Sequence, residues 1–247
     1  MRIAAFFDVD GTLLPGPSLE RRFLRYLAWR GELGVANWAR WLAQFCARVW
    51  RHPLAATDGN KAYLAGVPCS TMEAWLAWMN HYPPPVFPEA AARMEWHAAQ
   101  GHLIFLVSGT LQPLAEAVAR YLPTPAKVCA TQLESGNGRW SGRTMGSAVC
   151  GKEKARAVAR LAAEFDLDLP RSFAYGDRYA DRWMVDCVGH AVAVNPSPRL
   201  ASLARGRGWP VLRWTNTDLP EVPTTCPSIP AASPTSTLVA ESKSAPR

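Results

Sequence analysis

The sequence has 247 residues, of which 49% are hydrophobic and 19% charged, so it contains enough apolar side chains for a sizeable core. No apolar stretch reaches the roughly 18 residues that a membrane span requires. Acids at positions 8 and 10 occupy the place where a signal peptide would carry its apolar segment. We therefore expect a cytoplasmic protein with no stable membrane insertion.

The formal net charge of +7 is compatible with three kinds of partner, namely nucleic acid, an anionic membrane or a small anionic substrate. The arginines are spread over the whole chain and form no single block. We therefore expect a small phosphorylated metabolite as the partner, and no nucleic acid. The six cysteines contain no CxxC pair, which is typical of reduced thiols. These counts leave the oligomeric state open.

The first predicted element is a buried strand over residues 3–7, and it ends in two acids. Asp8 and Asp10 stand two positions apart, so in an extended chain their side chains point the same way. Gly11 then allows a sharp turn. Two carboxylates this close repel each other unless a cation or a shared proton offsets the repulsion. The pair is a candidate catalytic site, although a strand followed by an Asp-Gly turn is also common in proteins without such a site.

Helices are predicted from residue 19 to about residue 80, with Ser18 as the first N-cap. Large apolar side chains recur there at spacings of three and four, and arginines are interleaved with further tryptophans. The apolar stripe is Val35, Trp38, Leu42, Phe45 and Val49, and outside it lie Trp29, Trp41 and Trp50 with Arg30, Arg40, Arg48 and Arg51. The pattern indicates either a helical bundle that packs on both sides or a helix on a membrane surface or lipid substrate.

His52-Pro53 is predicted to end that helix, and residues 60–64 and 72–79 are predicted as further short helices. The Tyr-Pro-Pro-Pro segment at 82–85 is typical of a stiff connector. A helix is predicted from Pro88 to Ala99, with proline in its first turn.

Strands and helices alternate from residue 102 onward. The predicted strands are 102–107, 127–133, 171–175, 190–194 and 209–214, the predicted helices are 113–121 and 152–165, and residues 135–144 are predicted to form a hairpin. The helix over 152–165 is expected to present Ala155, Val158, Ala159, Ala162 and Phe165 on one face. Near-continuous apolar strands separated by helices predict an α/β fold with a parallel sheet covered on both faces. Residues 215–247 are rich in Pro, Ser and Thr, and we expect them to be disordered without a catalytic role.

Polar turns follow three of the predicted strands, at Asp8–Asp10, Ser108-Gly109-Thr110 and Gly176-Asp177. Ligands of such sheets bind outside the carboxyl ends of the strands, so these turns are expected to share one edge. Asp181 comes four residues after Asp177, which in a helical turn places both acids on one face. An all-oxygen donor set suits Mg²⁺, whereas the five scattered histidines predict no zinc site.

These motifs, in this order, resemble those of the haloacid dehalogenase (HAD) superfamily over about residues 3 to 212. Residues 8–12 (Asp-Val-Asp-Gly-Thr) are similar to its first motif, residues 107–110 to its second, a lysine after Gly151 to its third, and residues 176–181 to its fourth. The helical insertion resembles the cap of the phosphoserine-phosphatase-like branch, subfamily IB. The resemblance implies a Rossmann-like core at 1–15 and 86–214, an inserted helical C1-type cap at 16–85, and the tail at 215–247.

The resemblance also implies a catalytic scheme for a Mg²⁺-dependent phosphoric monoester hydrolase. Asp8 would attack phosphorus and form an aspartyl phosphate. Asp10 would protonate the leaving alcohol and then deprotonate water. The metal would be held by the Asp8 carboxylate, the Asp10 backbone carbonyl and Asp177, and Asp181 would complete the shell around it.

The same resemblance assigns the phosphate-binding groups. The Ser108 hydroxyl and the amides of Gly109 and Thr110 would bind the phosphoryl oxygens, and a lysine would supply positive charge. Two lysines compete for that role, Lys152 and Lys154. We prefer Lys154 because the segment that it begins matches the family helix better.

Three features depart from the family pattern. Arg178 and Tyr179 stand where the family more often has small residues, so they would narrow the entrance or contact the substrate. The phosphoserine-specific branch carries a glutamate near the position of Pro17, whereas Glu20 lies three residues further on, which weakens phosphoserine as the substrate. Lys61 is a candidate cap contact to an anionic substrate, or an ordinary surface lysine.

The function predicted from the sequence is hydrolysis of a small phosphomonoester, such as an amino-acid or amino-alcohol phosphate like phosphoserine or histidinol phosphate. One alternative is a phosphotransferase that passes the aspartyl phosphate to an alcohol. Another is a lipid-associated or membrane-associated binding module that uses the Trp/Arg-rich cap.

Overall fold

The structure is a computed structural model that describes residues 1–49 and 59–215. The prediction that His52-Pro53 ends a helix and the prediction of a disordered tail from residue 216 onward lie outside the described residues.

The central sheet has six parallel strands in the order β3-β2-β1-β6-β7-β8. Its strands are β1 Ala4–Phe7, β2 Leu103–Leu111, β3 Lys127–Thr131, β6 Phe173–Gly176, β7 His190–Val194 and β8 Val211–Leu212. A separate antiparallel hairpin consists of β4 Leu133–Gly136 and β5 Arg139–Thr144. The predicted parallel α/β fold and the predicted hairpin are confirmed.

Helices connect most of the strands of the central sheet in the described residues. They are α1 Leu19–Trp29, α2 Val35–Val49, α3 Ser70–His81, α4 Pro88–Ala99, α5 Gln112–Ala119, α6 Lys152–Phe165, α7 Arg182–Val185 and α8 Pro198–Arg207. The bounds of α4 and α6 are those predicted from the sequence. Ser18 caps α1 as predicted, since its hydroxyl accepts a hydrogen bond from the Arg21 amide. None of the helices in these ranges is both long enough and apolar enough to span a bilayer.

The central strand β1 is buried on both faces of the sheet. Phe6 packs on one face, with its ring centroid 5.3 Å from that of Phe105. Phe7 packs on the other face, stacked 4.4 Å from Tyr175. Because successive strand side chains point to opposite faces, this short apolar run supplies two cores at once. That explains why it lacks the alternation of a half-exposed strand.

Several predicted elements differ from those observed, and the strand predicted over 209–214 is reduced to Val211–Leu212. The strand predicted to end at residue 107 continues as β2 to Leu111, because the next strand pairs with it past a register shift between Ser108 and Leu111. The strand predicted over 127–133 ends at Thr131, and Leu133 begins the hairpin instead. The segment 60–64 contains only a 3₁₀ turn over Ala62–Leu64.

The predicted apolar face of α6 is only partly correct. Val158 is buried as predicted, but Ala159 is exposed, and the fully buried positions include Lys154 and Ala157. The helix is therefore rotated so that a lysine points inward. A pattern of apolar residues alone cannot predict that orientation, because the buried lysine belongs to the functional site.

The predicted apolar stripe of α2 is exposed for most of its length. Val35 is 87% exposed, Trp38 44% and Leu42 54%. The inward side of the helix is instead held by Asn37, whose amide donates to the carbonyl oxygens of Tyr63 and Ala65 at 2.9 Å each. The expectation that this helix packs on both sides is therefore wrong for the described residues.

The helices α1 to α3 lie in the chain between β1 and β2, where the inserted cap is predicted. The segment after the 3₁₀ turn is tied to the core hairpin by backbone hydrogen bonds, from the Gly66 amide to the Trp140 carbonyl (2.8 Å) and from the Trp140 amide to the Val67 carbonyl (2.9 Å). These bonds hold the helical insertion against the core. The boundaries of cap and core at residues 15 and 85 stay a prediction.

Candidate active site

The register of the sheet brings the three polar segments to one edge. Phe7, the last residue of β1, pairs with Leu106 on one side and with Tyr175 on the other. Asp8 after β1 and Asp177 after β6 therefore leave the sheet at its carboxyl end, beside the last residues of β2, which include Ser108. The Asp8 amide extends this ladder by donating to the Tyr175 carbonyl at 3.0 Å.

Three carboxylates converge at this edge. Asp8, Asp177 and Asp181 each offer an oxygen that lies within 4.8 Å of the others. Gly11 makes the approach possible, because its φ is +89° and a Cβ there would overlap the Asp177 carboxylate. The structure thus brings together the acids at residues 8 and 177, and their role as metal ligands stays a prediction.

The electrostatics of this cluster favour a bound cation. Burial raises the pKa of Asp8, although the charge of Lys154 opposes that rise. Burial also raises the pKa of Asp177, and the negative charges of Asp8 and Asp181 add to the rise. One oxygen of Asp8 (Oδ2) and one of Asp177 (Oδ1) are buried without a hydrogen-bond partner in the described residues. Unpaired, mutually repelling carboxylate oxygens are the donor set that a hard divalent cation requires.

Lys154 completes the cluster from the first turn of α6. Its Nζ lies 2.5 Å from Oδ1 of Asp8 and 2.6 Å from Oδ1 of Asp181, and the residue is 3% exposed. Burial alone would lower the pKa of this ammonium, but the carboxylates of Asp181 and Asp8 more than offset that and raise it. Lys152 is exposed and its Nζ lies over the Trp183 ring instead, 5.1 Å from the centroid. The geometry favours Lys154 of the two candidates.

Asp181 reaches the cluster through a short turn. Its backbone ends the 3₁₀ turn Tyr179–Asp181, and its Oδ2 accepts a hydrogen bond from the Arg178 amide at 2.8 Å. With Oδ1 bonded to Lys154, both oxygens of Asp181 have partners. It therefore orients the lysine and the turn, while Asp8 and Asp177 keep free oxygens.

Asp10 faces the start of α1. Its Oδ1 accepts a hydrogen bond from the Leu19 amide at 2.8 Å. Burial raises the pKa of Asp10 to about 6, and the charge of Asp8 contributes to the rise. A carboxyl group with that pKa can both donate and accept a proton near neutral pH.

The second-motif segment lies within β2 beside these acids. The Thr110 amide donates to Oγ of Ser108 at 3.3 Å, which leaves the Ser108 hydroxyl proton free for another acceptor. Thr131 Oγ1 holds the Gly109 carbonyl at 3.0 Å. Ser108 and Thr110 are almost completely buried, with exposures of 2% and 3%. The segment therefore has a fixed conformation before any ligand binds.

The helical insertion contributes a buried polar cluster that the sequence did not predict as a unit. Lys61 is 4% exposed and forms an ion pair with Oε2 of Glu20, and Oε1 of Glu20 accepts a hydrogen bond from the Tyr63 hydroxyl at 2.7 Å. Lys61 Nζ also lies 3.4 Å from the Gly109 carbonyl. Lys61 is thus no surface lysine, and it connects the insertion with the second-motif segment.

Arg178 and Tyr179 lie at the rim of the site. Both residues are exposed, and the Arg178 side chain interacts electrostatically with Asp8 and Asp177. The Tyr179 ring lies under the Arg182 guanidinium, 3.9 Å from it. Their predicted role as an entrance or a substrate contact stays a prediction.

The chain is similar in sequence to known hydrolases. A family model described as haloacid dehalogenase-like hydrolase matches residues 5–186. The chain is 34% identical over 224 residues to phosphoserine phosphatase SerB1 of Mycobacterium tuberculosis, covering 84% of this chain and 70% of that protein. It is 25% identical over 223 residues to a histidinol-phosphatase of Neisseria meningitidis, covering 87% of this chain and 100% of that protein.

Similar solved structures include the following two. A protein with unknown function from Bordetella pertussis Tohama I matches with a TM-score of 0.70 and 29% identity, covering 85% of this chain and 98% of that one. A probable phosphoserine phosphatase from Vibrio cholerae matches with a TM-score of 0.60 and 17% identity, covering 86% and 61%, and this likeness concerns the fold alone. The chain belongs to the haloacid dehalogenase-like hydrolase family. The predicted enzyme class, a phosphoric monoester hydrolase, is confirmed.

Proposed function

We propose that this protein is a Mg²⁺-dependent phosphatase that hydrolyses a small phosphomonoester through an aspartyl phosphate on Asp8. The observation that carries the proposal is the convergence of Asp8, Asp177 and Asp181 within 4.8 Å, with unpaired oxygens on the first two. Such a cluster is costly in a buried site without a cation. A dianionic phosphate, which a cation would draw to this site, is the natural ligand beside it.

Asp8 is the proposed nucleophile. Its Oδ1 is held by Lys154, which orients the carboxylate and opposes the rise in its pKa that burial causes, whereas Oδ2 has no partner among the described residues. The attack would form a bond from a carboxylate oxygen to phosphorus and release the substrate alcohol. Water would then cleave the resulting acyl phosphate, so that one difficult displacement is divided into two easier ones.

Asp10 is the proposed general acid and base. With a pKa raised to about 6 by burial and by the charge of Asp8, it exists in both protonation states near neutral pH. In its acid form it would protonate the leaving alkoxide, and in its base form it would take the proton of the attacking water. The Leu19 amide fixes Oδ1, which leaves Oδ2 for this exchange.

Asp8 and Asp177 are the side chains that would hold Mg²⁺, together with the Asp10 carbonyl proposed from the motif. The cation, when bound, supplies charge neutralisation to the phosphoryl oxygens and to the acids. Lys154 and the Ser108 hydroxyl would bind further phosphoryl oxygens, and the Gly109 and Thr110 amides would do so at the same strand end.

The proposed substrates are amino-acid and amino-alcohol phosphates. Two relatives are named as phosphatases of such compounds, phosphoserine and histidinol phosphate. On this chain, the buried pair of Glu20 and Lys61 lies beside the Gly109 carbonyl and offers one acidic and one basic group to a leaving group that enters there. A leaving group that carries an ammonium group would exchange for Lys61 at the Glu20 carboxylate.

The test is a panel of phosphomonoesters assayed with Mg²⁺, with EDTA and with Mg²⁺ restored after EDTA. We expect phosphate release that requires the metal, and an acid-stable, hydroxylamine-sensitive phosphoenzyme after a rapid quench. Asp8→Asn should abolish both signals. Wild-type rates in that variant would refute the nucleophile, whatever the substrate.

Asp10→Asn separates the proton-transfer role from the nucleophile. It should lower kcat by roughly 10²–10⁴-fold, because acid–base catalysis typically contributes that much. The phosphoenzyme should still form from a substrate with a good leaving group, such as an aryl phosphate, which needs little protonation. A negligible loss of kcat with alkyl phosphates would contradict the assignment.

A further inference from the structure

The hydroxyl of Thr131 lies between the two segments that are proposed to bind phosphate. Thr131 is the last residue of β3 and is 1% exposed. Its Oγ1 donates to the Gly109 carbonyl at 3.0 Å and accepts from the Val149 amide at 3.1 Å. A carbonyl can only accept and an amide N–H can only donate, so the two partners fix the direction of the hydroxyl proton. One buried side chain thus connects the second-motif segment with the chain that leads into α6.

The first partner belongs to a part of β2 where the pairing with β3 is interrupted. Ser108 and Leu111 pair with consecutive residues of β3, so two residues of β2 lie between them. Buried backbone groups that leave a ladder need another partner, and the Thr131 hydroxyl is that partner for the Gly109 carbonyl. Because a peptide group is planar, holding this carbonyl also fixes the direction of the Thr110 amide.

The second partner lies at the entrance to α6. Val149 is 6% exposed, and two residues after it Gly151 precedes the helix with a φ of +54°. The Lys154 amide donates to the Gly151 carbonyl at 3.1 Å, so the first turn of the helix continues directly from the segment that Thr131 holds. The position of the Lys154 ammonium beside Asp8 therefore depends on where that segment lies.

The two segments also pack directly against each other. A Cβ at Gly109 would lie 3.5 Å from the Val149 carbonyl oxygen and 3.5 Å from the Cys150 Cβ. This spacing is ordinary van der Waals contact, which favours proximity but fixes no direction. The hydrogen bonds of Thr131 supply the direction that this contact lacks.

We propose that Thr131 is a positioning residue that sets the placement of the Thr110 amide relative to the Lys154 ammonium. The inference rests on the proposed function, in which both of these groups bind phosphoryl oxygens. Thr131 acts on them without touching the substrate, through the Gly109 carbonyl on one side and the Val149 amide on the other. Without its hydroxyl, both backbone groups stay buried and lose a hydrogen bond, so the two segments are free to shift relative to each other.

The test compares Thr131→Val, which keeps the shape of the side chain but removes the hydroxyl, with Thr131→Ser, which keeps the hydroxyl. We expect Thr131→Val to lower kcat/KM by roughly tenfold or more, because a small displacement of groups that hold the reacting atoms has effects of this size. The inhibition constant of inorganic phosphate should rise in the same variant. Thr131→Ser should give values near those of the wild type for both quantities.

The matched control is Ser172→Ala. Ser172 is fully buried, and its hydroxyl also joins two backbone groups, donating to the Asp168 carbonyl at 2.6 Å and accepting from the Ala4 amide at 3.0 Å. Ser172 precedes β6 and therefore lies at the opposite edge of the sheet from the active site. Ser172→Ala should lower the midpoint of thermal unfolding about as much as Thr131→Val, but it should leave kcat/KM and inhibition by phosphate unchanged.

Hydrogen exchange of the full-length protein gives a second readout that needs no turnover. In Thr131→Val, exchange should become faster in residues 108–111 and 148–154 together, whereas Thr131→Ser should exchange like the wild type.

Three results would overturn the proposal. They are a kcat/KM of Thr131→Val equal to that of the wild type, faster exchange in only one of the two segments, and a loss of kcat/KM in Ser172→Ala as large as in Thr131→Val. A wild-type protein without Mg²⁺-dependent turnover would contradict the proposed function instead, and the exchange data would then decide whether Thr131 ties the two segments together.

Discussion

Lys154 is the residue on which the balance of charge in the active site depends most directly. Its ammonium contacts both Asp8 and Asp181 in a buried site. Lys154→Met removes that charge without adding bulk. The phosphoryl group and the carboxylates of Asp8 and Asp181 then lose the ammonium group that contacts them. We expect kcat to fall by about 10²–10³-fold, the usual loss for one preorganised electrostatic contact. Steady-state kinetics with saturating Mg²⁺ measures the effect.

Lys152→Met is the matched control, because Lys152 is two residues away on the same helix and exposed. Its rate should stay near that of the wild type. Equal losses in the two variants would show that the assignment of Lys154 is wrong.

His97 makes the stability of the protein depend on pH. Its ring is fully buried, with Nε2 2.8 Å from the Tyr175 hydroxyl and Nδ1 2.9 Å from Nδ1 of His102. Burial lowers its pKa from 6.5 to about 3, and the charges of His102 and Arg93 act in the same direction. Between these values the unfolded state binds the proton and the folded state does not. The free energy of unfolding should therefore fall as pH falls below 6.5, by about 1.4 kcal/mol per pH unit, until it levels off near pH 3.

His97→Gln keeps a donor and an acceptor but removes the titration. Urea unfolding between pH 4 and pH 7 should give the variant a shallower loss of stability than the wild type. His81→Gln, which replaces an exposed histidine at the end of α3, is the matched control. Parallel curves for His97→Gln and the wild type would contradict the prediction.

Residues of the acid cluster could be predicted because short-range spacing carries the information. Asp8 is two residues from Asp10, so strand periodicity places that pair on one side. Asp177 and Asp181 meet as expected from their short separation, but through the 3₁₀ turn Tyr179–Asp181 and not along the face of an α-helix. The contact of Glu20 with Lys61 and Tyr63 could not be predicted in this way. It spans more than 40 residues, and it depends on how the inserted helices fold over the core.

At the scale of elements, the hairpin β4–β5 supports the segment that carries Lys61. Gly142 has a φ of +78°, and a Cβ there would lie 2.9 Å from the Ala65 Cβ and 3.2 Å from the Ala62 Cα. Gly142→Ala therefore combines left-handed strain with a clash that pushes the 3₁₀ turn away from the hairpin. We expect a loss of about 1–3 kcal/mol in stability and a higher KM for the substrate.

Gly138→Ala provides the comparison, because Gly138 has a similar φ of +71° and no neighbouring atom within 4 Å of a Cβ. Left-handed strain should lower the midpoint of thermal unfolding of this variant, whereas its KM should stay unchanged. If both variants have the same KM, the hairpin does not position the segment that carries Lys61.

The elements that the sequence predicted well are those whose ends carry local chemical signals. Pro88 at the start of α4 and Gly151 before α6 fix the first turn of each helix, and both sets of bounds are correct. The end of β2 was placed too early, since the polar Ser108 looks like a turn but pairs with the neighbouring strand. The stripe of α2 was found by its periodicity, but periodicity does not reveal whether a neighbouring element covers the face.

At the scale of the whole molecule, the parallel sheet brings residues that are far apart in the sequence to one site. With β1 in the middle, the ends of β2 and β6 lie on either side of it, although those strands come about 100 and 170 residues later in the chain. The alternation of strands and helices predicted a parallel sheet. The strand order was not predicted, because it depends on which of several compatible crossovers buries the apolar faces best.

Trp214 and Thr215, at the C-terminal end of the described chain, contact the rest of the protein. These contacts predict the effect of truncating the chain. Trp214 is 8% exposed, its ring centroid lies 6.2 Å from that of Phe87, and its amide donates to Asn195 Oδ1 at 3.0 Å. Thr215 donates to Glu89 through both its amide and its hydroxyl. A chain that ends at residue 215 keeps these contacts and every proposed catalytic group. It should therefore retain the kcat and the unfolding midpoint of the full chain.

A chain that ends at residue 212 differs from it by three residues and loses the buried indole together with the partner of Asn195. Its free energy of unfolding should be lower by about 3–5 kcal/mol, the usual cost of removing a large buried aromatic side chain. Thermal unfolding and phosphatase activity of the two truncations, measured beside the full chain, separate the contribution of Trp214 and Thr215 from that of residues 216–247. A large loss of activity in the longer truncation product would mean that the final 32 residues contribute to catalysis, against the expectation from their composition.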